Sequence, residues 1–332
     1  MSISSHTDER FDLNLERYGY LITPRSLGLI VLPTEQCNFR CTYCYEDFSR
    51  PLGMNRETIE GIKALLDKRA ELGLNFLNIS WFGGEPLLAF ESIKQIMHHS
   101  AELSINYGVT VQSDATTNGY LLTFPVLKEL VESYVTKFQI SFDGDKELHN
   151  TLRLKRDGGG TFETIWQNLK HAHESKLRFH ITIRIHVNAE NQESIKSLLE
   201  RASIEFKGDD RFSVFIRPLS KLGGPNDSKL PVLKGGASRI AESLRKYADA
   251  LGLNNENLST NYICYAASMN TFVVRADGRL GKCTVALYDQ KNTIGRLKSD
   301  GTVEVDKDKA LWWSRGLFSN DKSQLACPLH AH

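Results

Sequence analysis

Apolar residues recur along this chain in two alternating rhythms. Leu27-Gly28-Leu29-Ile30-Val31-Leu32 is almost continuously apolar, as suits a parallel strand buried on both faces. Ile59, Ile62, Leu65, Leu66, Ala70 and Leu72 then fall at helical spacing, with Asn55 placed to cap them. Strand-like runs follow at 76–82, 109–117, 138–142, 179–187 and 212–216. Helical stripes separate them: Ile93 and Ile96; Val126, Leu127, Leu130 and Val131; Ile165, Trp166, Leu169 and Ala172; Ile195, Leu198 and Leu199. Six strands alternating with helices predict an α/β fold, a parallel sheet with right-handed crossovers. Periodicity leaves open whether that sheet is open or curled.

Residues 1–26 read as a short lead-in, with little beyond Tyr18, Tyr20 and Leu21. The alternation fills 27–222. Loop formers gather at Gly223-Gly224-Pro225-Asn226-Asp227 and Gly235-Gly236, so 223–235 is expected to be a linker. A helix with Ile240, Leu244, Tyr247 and Ala248 on one face opens the remaining stretch, 236–332.

Charge excludes two partner classes. Lysine plus arginine number 41 against 40 acidic residues among 332, which gives nucleic acid or an anionic membrane no primary role. No apolar run approaches the roughly 18 residues of a membrane span, and residues 1–10 lack the apolar core of a signal peptide. Six cysteines, most in ligand-like settings, fit a reducing compartment, so a soluble cytoplasmic protein is expected.

The chemistry concentrates directly after the first strand. Cys37, Cys41 and Cys44 stand at C-x3-C-x2-C in a loop that brings three thiols to one point. Iron–sulfur clusters normally take four thiolates, and the next cysteine here is Cys264. Three thiolates would leave one iron of a four-iron cluster open to a small molecule. Structural zinc wants four ligands, and a disulfide would leave one thiol over. Spacing alone keeps the cluster, zinc and inert thiols as readings.

The wider stretch Thr34-x2-Cys37-Asn38-Phe39-x-Cys41-x-Tyr43-Cys44-Tyr45 resembles the signature of the radical S-adenosylmethionine (SAM) enzymes. It is most similar to the branch that carries a C-terminal SPASM or twitch domain, and the resemblance covers about residues 28–300. It implies a partial (β/α)6 barrel over 27–222 with a small iron–sulfur domain behind it, and chemistry at the C-terminal strand ends. It implies a [4Fe–4S] cluster on the three cysteines whose open iron chelates SAM. One electron, from a donor such as flavodoxin or ferredoxin, would cleave SAM to a 5′-deoxyadenosyl radical that abstracts hydrogen from substrate.

The same resemblance implies a cosubstrate site. Tyr43 and Tyr45 flank the last cysteine. Gly83-Gly84-Glu85-Pro86, by itself a plain turn, looks like the GGEP motif whose backbone meets the SAM amino group. Asn118 follows the third strand, and Ser141 stands in a Ser-x-Asp-Gly at the end of the fourth. The segment His149-x3-Arg153 with Gly158-Gly159-Gly160 also looks like family sequence, but reads equally as a surface turn. Arg184 lies within an apolar strand, where a guanidinium needs an anionic partner, either the SAM carboxylate or a structural acid.

In the tail, Gly278-x4-Cys283 resembles the SPASM and twitch pattern, preceded by Cys264, a short strand 271–274 and an Asp277-Gly278 hairpin turn. Cys327-Pro328 resembles part of its terminal cluster, but Gln324 replaces one cysteine. The resemblance therefore implies one auxiliary cluster at most, on Cys264, Cys283 and Cys327, with His330 or His332 as candidate fourth ligands; zinc and metal-free packing stay open. It implies a peptide or protein substrate, modified by crosslinking, thioether formation or epimerisation. A small-molecule substrate, or sulfatase-type formylglycine formation, is the alternative. Thr284 stands where sulfatase-maturing relatives usually carry an aspartate. A non-enzymatic iron–sulfur carrier would explain the cysteines but not the motifs at successive strand ends.

Overall fold

The structure is a computed structural model and describes residues 19–46, 48, 53–233, 235–256 and 262–329. Strands β1 (Ser26–Val31), β2 (Phe76–Trp81), β3 (Thr110–Thr117), β4 (Val135–Phe142), β5 (His180–Val187) and β6 (Phe212–Pro218) pair side by side in chain order, all parallel. Between them run α1 (Arg56–Glu71), α2 (Phe90–Tyr107), α3 (Phe124–Glu132), α4 (Lys146–Leu152), α5 (Phe162–Glu174) and α6 (Gln192–Phe206). Asn55 caps α1 as expected, accepting from the Thr58 N–H at 2.8 Å.

Strands laid down in order through right-handed crossovers place every crossover helix on one face of the sheet. That face is apolar: Leu77, Ile79, Trp81, Phe138, Ile140, Phe142, Ile181, Ile183 and Ile185 are each at most 2% exposed. The alternate residues are polar, namely Asn78, Ser80, Asp114, Thr116, Gln139, Ser141, Thr182, Arg184 and His186. A polar inner face needs water or a ligand against it. This is the sheet of a partial barrel around a polar interior.

The tail extends the same sheet. After α7 (Ala237–Ala250), which packs on β6, come β7 (Thr271–Val274), β8 (Arg279–Gly281), β9 (Gly295–Leu297) and β10 (Val303–Val305). Helices α8 (Lys307–Ser319) and α9 (Lys322–Ala326) follow. β7 lies parallel to β1, and β8, β9 and β10 continue antiparallel, giving the order β10-β9-β8-β7-β1-β2-β3-β4-β5-β6. Asp277-Gly278 forms the β7–β8 turn, with Gly278 at φ 80°. β1 is buried on both faces because Ile30 and Leu32 pack against Val273 and Leu287 of the tail.

Helices α8 and α9 were not read from the sequence, and three details of the barrel depart from it as well. β4 begins at Val135 rather than 138, α4 was not anticipated, and Leu72 is no part of the helical stripe. Leu72 is the C-cap of α1 and 79% exposed, because the chain turns at Gly73 with φ 87°. Among the described residues no helix is long and apolar enough to cross a membrane.

Candidate active site

The cysteine loop leaves the C-terminal end of β1 without regular structure, so its backbone groups must find partners elsewhere. On one side the Glu85 N–H donates to the Gln36 carbonyl at 2.8 Å, and the Gly84 N–H to the Thr34 carbonyl at 3.4 Å. A Cβ on Gly83, at φ 120°, or on Gly84 would collide with those two carbonyls. These glycines are therefore required by the cysteine loop itself. On the other side Arg40 N–H donates to Leu154 O at 2.7 Å, Thr42 N–H to Leu152 O at 2.9 Å, and Arg156 N–H to Asn38 O at 2.9 Å. The loop is clamped between two strand-like neighbours.

Glu85 and Asn118 lock the clamp. The Glu85 side chain is fully buried and accepts from Leu87 N–H at 3.0 Å, Thr117 Oγ1 at 2.7 Å and Asn118 N–H at 2.7 Å. Burial raises its pKa against those three hydrogen bonds. Its carboxylate is turned into the protein and joins the ends of β2 and β3. Asn118 Nδ2 donates to Asn38 Oδ1 at 2.7 Å, tying the end of β3 to the loop.

The three thiols are held in a setting that disfavours bare thiolate. Burial pushes Cys37 and Cys44 up to about 12 and raises Cys41 as well, and Cys41 as a like charge raises the other two further. The Phe39 N–H nevertheless points at Cys37 Sγ at 3.3 Å, and a backbone hydrogen bond from Glu46 favours the Cys44 thiolate. Three soft donors, partly supplied with hydrogen bonds, fit an iron–sulfur cluster. Among the described residues no group of three or more His, Cys, Asp or Glu is placed to hold a single metal ion.

Beside the loop runs a chain of polar groups that ends on Asp143. Arg184 Nε donates to His186 Nε2 at 3.0 Å, so His186 carries its proton on Nδ1 and donates to Asp143 Oδ1 at 3.2 Å. From the other direction Arg153 Nη1 donates to Tyr43 Oη at 2.6 Å, and Tyr43 donates to Asp143 Oδ2 at 2.5 Å. Burial would push the Asp143 carboxyl up. The hydrogen bond from His186 and the Arg153 charge outweigh it and hold the pKa at about 2. Burial keeps Tyr43 protonated and lowers His186. Tyr43, Asp143, His186, Asn188 and Leu219 line a cavity of about 260 Å³. Ser141 lies in register with Arg184 on the inner face.

Arg184 has no carboxylate contact among the described residues; beyond His186 it reaches only Gln139 Oε1 at 3.4 Å. Arg153, which the sequence allowed as part of a surface turn, is 8% exposed, and His149 is fully buried. Tyr45 faces the tail: its hydroxyl donates to the Thr284 carbonyl at 3.2 Å.

The tail brings its own cysteines together. Cys264 N–H donates to Leu325 O at 2.8 Å, which draws α9 and the following Cys327 toward it. Burial pushes Cys264 up to about 11, and both Cys283 and Cys327 raise it further. His330 and His332 lie outside the described residues. Lys282 is 2% exposed, lowered to about 7 by burial, and donates to Thr271 O at 2.7 Å. A buried bidentate pair, Arg275 with Glu35, joins the tail to the cysteine loop, and Arg275 Nη1 also donates to Leu287 O at 2.7 Å. Sequence reasoning missed Glu35, His186 and Arg275, gave Asp143 only as part of the Ser141 motif, and left Arg153 between family sequence and a surface turn. For His186 a signal existed, the strict polar–apolar alternation of β5, His-Ile-Thr-Ile-Arg-Ile-His-Val.

Asp143 makes the site pH-dependent. A carboxyl lowered from 3.8 to about 2 on folding contributes stability that is complete above its unfolded pKa and is lost as pH falls toward 2. At pH 7 the contribution is on the order of 2 kcal/mol. Asp143→Asn should lower the denaturation free energy by that order at pH 7, and progressively less below about pH 4. An equal deficit at pH 7 and at about pH 2.5 would show that the charge contributes nothing.

Comparison with known proteins agrees with this geometry. The profile of the Radical SAM superfamily matches residues 31–202. The cysteine-type anaerobic sulfatase-maturating enzyme of Clostridium novyi (strain NT) is 27% identical over 214 residues, covering 61% of this chain and 54% of that protein. The chain thus spans about half the length of that relative. The structure of native anSMEcpe with bound AdoMet and Kp18Cys peptide superposes with a TM-score of 0.65 at 20% identity, over 86% of this chain and 80% of that one. Streptococcus suis SuiB bound to precursor peptide SuiA gives 0.61 at 16% identity, over 95% and 71%. With the profile running over half of its 332 residues, from the end of β1 into α6, this chain belongs to the radical SAM superfamily, whose enzymes work with a [4Fe–4S] cluster and SAM.

Proposed function

We propose that this chain cleaves SAM reductively and removes a hydrogen atom from a peptide or protein side chain, in crosslinking, thioether formation or epimerisation. One juxtaposition carries the reading: three half-buried thiols at the end of β1 stand beside a polar inner wall where Arg184 has no carboxylate partner among the described residues. Cys37, Cys41 and Cys44 would hold the cluster. Bound there, cluster and SAM supply a 5′-deoxyadenosyl radical, generated with one electron from a flavodoxin- or ferredoxin-type donor.

The protein's own groups bind and orient. Arg184 has N–H groups to spare for the SAM carboxylate, with Ser141 next to it in register. The Gly83–Glu85 backbone is the part of that turn left to meet the SAM amino group, since the Glu85 carboxylate is already engaged. Asn118 positions the loop, Tyr43 lines the cavity, and the buried wall keeps water from the reacting atoms.

The peptide substrate is supported by the fold shared with anSMEcpe and SuiB, both seen with peptides bound. The Clostridium relative favours formylglycine formation as a second reading. Against it, Thr284 offers no carboxylate beside Cys283, and its hydroxyl is shared with Tyr265 at 2.7 Å. Cys264, Cys283 and Cys327 are proposed to hold a second cluster.

Anaerobically reconstituted protein given SAM and dithionite should release 5′-deoxyadenosine. Replacing Cys37, Cys41 and Cys44 together with alanine should abolish that release; retained cleavage would overturn the site. Arg184→Ala should weaken SAM binding roughly 10- to 150-fold with iron content unchanged, the loss of one charged hydrogen bond. Cys283→Ala should remove one cluster's worth of iron and leave SAM cleavage in place. Parental iron content in that variant would sink the second cluster.

A further inference from the structure

Arg153 is a buried cation beside the cysteine loop. It is the C-cap of α4, 8% exposed, and its Nε has no hydrogen-bond partner among the described residues. The segment that carries it runs antiparallel to the cysteine loop, with Phe39 bridged to Lys155 and hydrogen bonds joining 40 to 154, 42 to 152 and 156 to 38. That register sets Arg153 directly opposite Cys41. The pair falls between the hydrogen-bonded positions, where facing residues approach most closely and their side chains share one face.

We infer that Arg153 is the protein's counter-charge to the cluster held by Cys37, Cys41 and Cys44, and that it eases the cluster's one-electron reduction. The inference rests on the function proposed above. Reduction adds one negative charge to a group already surrounded by three thiolates, so a fixed cation at short range in a low-dielectric site favours the reduced form. The other buried charges near the thiols work the opposite way: Glu85 acts on Cys37 and Glu46 on Cys44 as like charges. Arg153 is of the opposite sign and faces Cys41 across the paired backbone, its guanidinium 6.0 Å from the centre of the Phe39 ring in the same loop. Its own anion, Asp143, is 4.0 Å away and already shared with Tyr43 and His186, so the guanidinium charge is only partly spent.

The test is a dithionite titration of reconstituted protein without SAM, followed by the electron paramagnetic resonance of the reduced cluster. Iron content and circular dichroism are measured alongside. Arg153→Met should shift the reduction equilibrium at least tenfold toward the oxidised form, a fall in midpoint of about 59 mV for one electron. Arg153→Lys, which keeps the charge and loses the fork to Tyr43, should stay within that tenfold of the parent. A loaded Arg153→Met with a parental midpoint overturns the inference. If Arg153→Met takes up no cluster while Arg153→Lys does, the positive charge is needed to hold the cluster, and the inference stands. Failure of both variants to load overturns it in favour of a brace that needs the guanidinium shape. A parent protein that takes up no cluster would instead sink the function proposed above.

Discussion

Three thiols cannot be gathered at one point for nothing. They are desolvated, they repel one another once ionised, and they sit in a loop whose backbone makes no helix or sheet of its own. The loop keeps its shape because both of its edges are paired, on one side by the Gly83–Glu85 turn and on the other by residues 152–156. The two flanks are themselves fixed from behind. Glu85 binds the turn to the end of β3, and Thr161 anchors the second flank by donating to the Arg153 carbonyl at 2.6 Å. The site is thus built where the ends of β1, β2 and β3 and the 152–156 segment meet at one loop, and the chemistry depends on that convergence.

Much of the framework was legible because it is local. Strands and helices announce themselves through period, and the cysteine spacing is confined to eight residues. The curl of the sheet was also written in the sequence, in the alternation of β5, but an isolated alternating strand reads equally as one face of an open sheet. What could not be read was pairing across distance. Glu35 and Arg275 are 240 positions apart, and nothing near either one foretells the other. Arg153 follows a polar stretch and precedes three glycines, the composition of a surface turn; only its antiparallel register with the loop turns it inward. Glu85 shows the converse, a residue whose motif was recognised while its side chain serves the scaffold.

The tail touches the cysteine loop at two points that flank the thiols. Glu35, two residues before Cys37, is held by Arg275, and Tyr45, just after Cys44, reaches the carbonyl of Thr284 beside Cys283. A buried ion pair is poor evidence of net stability, yet losing one partner costs about 3–5 kcal/mol because the other charge is stranded. The two cysteine groups therefore share supports, and disorder in the tail would be felt at the first of them.

The placement of β7 against β1 has a further consequence. β1 is the first strand of the parallel series, and in an open sheet it would present a free row of N–H and C=O groups along its outer side. Such a row invites another chain to add a strand, and β1 is apolar and buried along most of its length. β7 occupies that row in register from Gly28 to Val31, and the hairpins beyond it move the sheet's edge to β10, a three-residue strand. Short edges are a standard defence against aggregation. The cysteine-bearing tail thus also covers the barrel's first strand: strip it away, and the strand that launches the cysteine loop is left with an unpaired edge.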